Sequence, residues 1–134
     1  MKKVDKKQFA PLFLGHEEKD GYYLSPLEWR YAYEKGLLSD GPSEYDPEFY
    51  KWFKWFRDRG FYVKEAKDHL RIYKRGFRPD RAAPHYVLFV VKDLDALLKA
   101  LDRAIDMRKR CLVAVGDKLI SINYFNVEPL NDEG

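Results

Sequence analysis

Four cations, Lys74, Arg75, Arg78 and Arg81, surround Phe77 in the run Lys74-Arg75-Gly76-Phe77-Arg78-Pro79-Asp80-Arg81. Ammonium and guanidinium groups at that density can hold phosphate oxygens while the ring stacks on an extruded base. A solvated basic loop has the same composition, and the residues alone leave both readings open. Two other groupings fall away. Glu65-Ala66-Lys67 and Pro79-Asp80 contain the carboxylates and lysine of a Mg²⁺-dependent nuclease, but in the wrong chain order and with Glu65 to Lys67 reading as a turn. The three histidines and the single Cys111 form no zinc cluster, so neither a metal nor another cofactor is expected.

The elements that must position such a loop follow from composition and pattern. At 134 residues the chain can bury a real core, and 46% hydrophobic with 16% aromatic residues argues against disorder. Cys111 lies in an apolar run and reads as a core thiol; a disulfide framework is excluded, and a reducing, cytoplasmic setting is the default. No segment reaches the roughly 20 apolar residues of a membrane span, and no apolar stretch follows the basic start. A net charge of +3 is mild, so any nucleic-acid role rests on local clusters. High charge with one glutamine, Gln8, fits a heat-adapted source.

In chain order, residues up to Lys7 read as a solvated tail, Gln8 to Leu14 as a short edge strand and Gly15 to Gly21 as a polar loop. Tyr22 to Leu24 reads as a strand. Ser25-Pro26-Leu27-Glu28 then starts a helix with a capping box, and that helix should end near Gly36. Asp46-Pro47 starts another, closed by Gly60, with Phe49, Trp52, Phe53 and Phe56 on its apolar stripe, which Tyr50 and Trp55 widen. Strands are expected at Phe61 to Val63, Leu70 to Tyr73 and Tyr86 to Val91. Asp93 caps a helix striped by Leu94, Leu97, Leu98, Leu101 and Ile105, before strands at Cys111 to Val115 and Leu119 to Val127. Strand, helix and second buried strand imply a right-handed crossover with parallel pairing. The expected fold is α/β, a mixed sheet with residues 45–130 as its domain, a small α+β unit at 1–44 and a tail at 131–134.

Arg57-Asp58-Arg59-Gly60-Phe61-Tyr62-Val63-Lys64, Leu70-Arg71-Ile72-Tyr73 and Met107-Arg108-Lys109-Arg110-Cys111-Leu112-Val113-Ala114-Val115, in this order and spacing, resemble the catalytic C-terminal domain of the archaeal tRNA-splicing endonucleases, which has a restriction-nuclease-like core. The helix start near Ser25 resembles the N-terminal domain of the same family. The resemblance implies metal-independent cleavage of precursor tRNA at bulge-helix-bulge sites, leaving cyclic phosphate and 5′-hydroxyl ends. A general base takes the ribose hydroxyl proton, a general acid protonates the leaving oxygen and a cation steadies the phosphorane. By motif the base falls on Tyr73 and the supporting cation on Lys109. The position of the family's acid, a histidine, holds Ala83. His85, two residues on, is the alternative donor.

The missing histidine makes the chain resemble the structural partner in a heteromeric enzyme, arranged as (αβ)2 with a catalytic subunit of the same family. A catalytic subunit using Tyr73, His85 and Lys109 is one alternative, and an RNA-binding or protein-interaction module with a degenerate nuclease fold another. The resemblance places subunit contacts at Asp117, where the family carries an acidic loop, and at Tyr124 and Phe125 near the C-terminus.

Overall fold

A computed structural model describes residues 1–74, 83–107, 111–122 and 127–129, with 104–107 and 127–129 described by backbone alone. The chain forms two compact units, Met1–Arg59 and Gly60–Gly134. The fold is mixed α/β, as expected.

In the first unit a three-stranded antiparallel sheet, ordered β1-β3-β2, joins β1 (Lys2–Val4), β2 (His16–Glu18) and β3 (Gly21–Leu24). The start is therefore no solvated tail, since Lys2 to Val4 pair with Leu24 to Tyr22. Nor is the stretch from Gln8 a strand. Asp5 caps α1 (Lys6–Phe9) by accepting from the Lys7 amide, and a 3-10 turn at Ala10–Leu12 takes Pro11 in its first positions. Proline suits such a place, where the amide it lacks has no partner to lose. The expected polar loop contains β2, which makes a hairpin with β3.

Helix α2 (Pro26–Glu34) opens on the expected capping box. Ser25 Oγ accepts from the Glu28 amide, and Glu28 Oε1 accepts from the Ser25 amide at 3.1 Å. The other oxygen, Oε2, accepts from Gly15 N at 2.6 Å, so one buried carboxylate ties the helix start to the chain before β2. Helix α3 (Pro47–Asp58), capped by Asp46, buries Tyr50, Trp52, Phe53 and Phe56. Tyr31 of α2 meets Phe53 edge-on at 5.8 Å.

The second unit is a six-stranded sheet ordered β4-β5-β6-β7-β8-β9. Its strands are β4 (Tyr62–Glu65), β5 (Leu70–Tyr73), β6 (Tyr86–Val91), β7 (Cys111–Val115), β8 (Lys118–Ile122) and β9 (Val127–Pro129). Glu65 thus closes a strand rather than lying in a turn. The one strand expected over Leu119 to Val127 is two, with Ile120 opposite Pro129. Only β6 and β7 run parallel, Val87 against Cys111, and α4 (Leu94–Met107) makes the connection. Asp93 caps that helix through the Ala96 amide.

Strand alternation divides the sheet into two faces. Helix α4 covers one, where Val87, Phe89, Ala100, Cys111 and Val113 form a buried cluster with Leu97 and Ile122 at its margin. Leu94 and Leu98, expected on the buried stripe, are 70% and 53% exposed. Ala100 is the buried member of the helix in this cluster, at 3% exposure. The opposite face holds Val63, Leu70, Ile72, Leu88, Leu112 and Leu119, all buried.

Candidate functional site

Tyr73 ends β5 and Tyr86 begins β6, and the antiparallel register of the two strands brings both to the same end of these interior strands. There the ladder is irregular. The His85 N–H donates to the Ile72 carbonyl at 2.7 Å, while Tyr86 is registered against the same Ile72. Two residues of one strand thus address one residue of the other, the pattern of a bulge, which interrupts alternation and re-aims side chains.

The rings bear this out. Neighbours along a regular strand point to opposite faces. His85 and Tyr86 instead meet edge-on, with ring centroids 4.4 Å apart. The imidazole is therefore drawn to the side of the sheet shared by Tyr86 and Ile72, whereas Tyr73, one residue past Ile72, belongs to the other face. Tyr73 is only 4% exposed, and Ala83, the position that the resemblance aligns with a histidine, is exposed. Lys74, directly after Tyr73, is exposed. Lys109, Arg75, Arg78, Arg81, Tyr124 and Phe125 lie outside the described residues.

Asp117 is exposed in a two-residue turn, Gly116-Asp117, set by the pairing of Val115 with Lys118. Gly116 has φ +59°, a left-handed conformation that glycine adopts without cost at the first position of such a turn. The remaining histidines are held elsewhere. His16 pairs with Glu18 at 3.0 Å on the surface. His69 is buried beside Phe89, with Nδ1 donating to Asp68 Oδ1 at 2.7 Å. Burial pushes the Cys111 thiol up to about 11, so it is protonated and inert at neutral pH. Among the described residues no group of three or more His, Cys, Asp or Glu side chains could hold a metal ion.

One arrangement here is absent from a motif reading: the cross-strand pair Lys64 and Arg71, on the face that carries Tyr73. The signal was present in the sequence as two cations at alternating positions of adjacent strands. It needs the register to become visible.

No protein-family model matches the chain. It is similar to a tRNA-splicing endonuclease of Methanococcoides burtonii, 31% identical over 81 residues, a match covering 57% of this chain and 23% of that protein. It is also similar to a tRNA-splicing endonuclease of Methanosarcina acetivorans, 23% identical over 144 residues, covering 91% of this chain and 41% of the relative. The chain thus spans well under half the length of these curated relatives. By these matches the chain is similar, over most of its length, to parts of tRNA-splicing endonucleases.

Proposed function

We propose that this chain is the structural, non-catalytic subunit of a heteromeric tRNA-intron endonuclease, supporting cleavage of precursor tRNA at bulge-helix-bulge sites by a catalytic subunit of the same family. The observation that carries this reading is the start of β6. Ala83, exposed, holds the position that the resemblance aligns with a histidine, and the nearby imidazole of His85 is drawn toward Tyr86 and the Ile72 side of the sheet. Loss of a positioned general acid costs about a hundredfold to ten-thousandfold in rate. The near-complete burial of Tyr73 points the same way, because a phenol that takes a ribose proton must reach the substrate.

A partner would then supply a full set of base, acid and cation, the two subunits assembling as (αβ)2. In this reading Tyr73 is a packed strand end and Lys109 a relic or a secondary RNA contact. Asp117, Tyr124 and Phe125 would lie at subunit contacts, and Lys74, Arg75, Arg78 and Arg81 would hold phosphates.

One observation favours a second reading, in which the chain is itself catalytic through Tyr73, His85 and Lys109: Tyr73 and His85 lie at the same end of paired strands. Cleavage of a labelled bulge-helix-bulge RNA separates the two. The chain alone is expected to be silent and the mixture with a catalytic subunit active, with His85→Ala leaving that activity within about twofold. Cleavage by the chain alone, abolished by His85→Ala, would reverse the assignment.

A further inference from the structure

Helix α3 ends in a stacked pair that takes no part in the chemistry considered so far. Arg59 is its C-cap and stands four residues after Trp55, so the two side chains meet on one side of the helix. The Arg59 guanidinium lies over the indole of Trp55, 3.7 Å from the ring centroid. Its Nη1 donates to the Trp55 carbonyl at 3.0 Å, serving one of the acceptors that a helix end leaves without an amide. The indole is itself held edge-on to Phe56 at 4.8 Å and to Trp52 at 6.0 Å.

Capping accounts for Nη1 and for the inner face of the guanidinium. The outer face is open, since Arg59 is exposed while Trp55 beneath it is half-buried. The adjacent carboxylate leaves the charge uncompensated. Asp58 accepts from the Tyr31 hydroxyl at 3.0 Å and pairs with Lys35 at 3.0 Å, and among the described residues Arg59 makes no ion pair. A planar cation fixed against an indole, with its second face in solvent, suits a flat π system that carries a negative charge beside it. A nucleotide is such a group: its base lies on the guanidinium plane, and the Nε and Nη2 donors remain for its phosphate. A carboxylate side chain would engage the fork at its edge and leave the plane unused.

We infer that Arg59, backed by Trp55, is a stacking platform for an unpaired base of RNA. The inference rests on the reading of the chain as a subunit that acts on precursor tRNA, and it assigns an RNA contact to the first unit, outside the basic loop. Stacking tolerates every base, so the platform holds an unpaired nucleotide and does not read its identity.

The test is binding of the full chain to a fluorescently labelled bulge-helix-bulge RNA at one salt concentration, with the unpaired nucleotides replaced in turn by an abasic residue. Arg59→Lys keeps the charge and removes the plane; it should weaken binding of the intact RNA by about fivefold to a hundredfold, the effect of one stacked base. One abasic RNA should show a loss of the same size with the wild-type chain and no further loss with Arg59→Lys, because the two changes remove the same contact. Arg59 is exposed, so the variant is expected to fold, and its melting temperature checks this. Unchanged affinity in Arg59→Lys, or no abasic position at which the two losses coincide, overturns the platform alone. Displacement of the RNA by poly-glutamate as effective as that by oligoadenylate overturns the choice of RNA in favour of an acidic polypeptide. Failure of the wild-type chain to bind the RNA at any salt overturns the proposed function and the platform with it.

Discussion

Asp68 Oδ1 accepts a hydrogen bond from His69 Nδ1 at 2.7 Å, and the second oxygen of the same carboxylate accepts from Arg103 of α4 at 3.1 Å. The start of β5 is thereby fastened to the helix that covers the sheet. The bond from His69 is the largest influence and holds the Asp68 carboxyl below the ordinary carboxylate range; burial opposes it, and the nearby Arg103 charge adds a smaller lowering effect. A depressed carboxyl contributes stability that is present above its unfolded value and lost as the pH falls through its folded value. Asp68→Asn should therefore destabilise the protein at neutral pH and flatten the acid limb of its stability profile below about pH 4. Urea unfolding across that range checks this; parallel acid limbs in wild type and variant would refute it. The half-exposed position of Asp68 makes the effect a small one.

Glu28 is the corresponding fastening in the first unit. Its carboxylate is 3% exposed and accepts from two backbone amides, those of Gly15 and Ser25. Glu28→Ala should cost about 2–4 kcal/mol, because it strands two amides, and Glu28→Gln should recover part of that by keeping one acceptor oxygen. Denaturant midpoints of the three proteins decide it, and a loss below about 0.5 kcal/mol in the alanine variant would contradict the account.

Cys111, 2% exposed and with its thiol raised by burial, should resist alkylation in the folded protein at pH 8 and react at once in denaturant. The linkage has the opposite sign from Asp68. A raised thiol contributes stability below the ordinary thiol range that is lost as the pH rises through it. Rapid labelling under native conditions would show that β7 is not packed as described.

The two kinds of leucine in the second unit should behave differently. Leu112, fully buried on the central strand β7, should lose about 2–5 kcal/mol on change to alanine. Leu98, 53% exposed on α4, should lose little more than about 0.5 kcal/mol. Comparable losses at both positions would mean that Leu98 is covered in solution.

What the sequence made legible was local. Ser25, Asp46 and Asp93 announce helix starts because a cap and the amides it serves lie within three residues of each other. Strands β5, β6 and β7 announce themselves by apolar content, and the parallel pair follows from the length of the crossover. Strand β1 stayed hidden because Lys2 and Lys3 read as solvated and its partner β3 lies some twenty residues away. The leucine stripe of α4 is broader than the face it buries: periodicity marks a face, while the depth of packing, greatest at Ala100 and least at Leu94 and Leu98, depends on the strands beneath. At the candidate site Tyr73 and His85 stand at neighbouring ends of paired strands. The bulge that parts their side chains is a matter of register, and register appears in no single stretch of sequence.

The two-residue turn at Gly116-Asp117 also bears on how the sheet comes together in time. Strand β8 meets β7 across two residues, whereas β6 can meet β7 only after the crossover of 19 residues, 92–110, has folded back. Short loops close in well under a microsecond and hairpins within about 1–10 μs, while non-local pairing waits on the entropy of closing the long loop. The β7–β8 hairpin is thus expected to be present when β6 docks. Gly116→Ala, which forces a side chain into the left-handed region, should slow folding by nearly the whole of its stability loss. A loss expressed wholly in faster unfolding would place the parallel pair first.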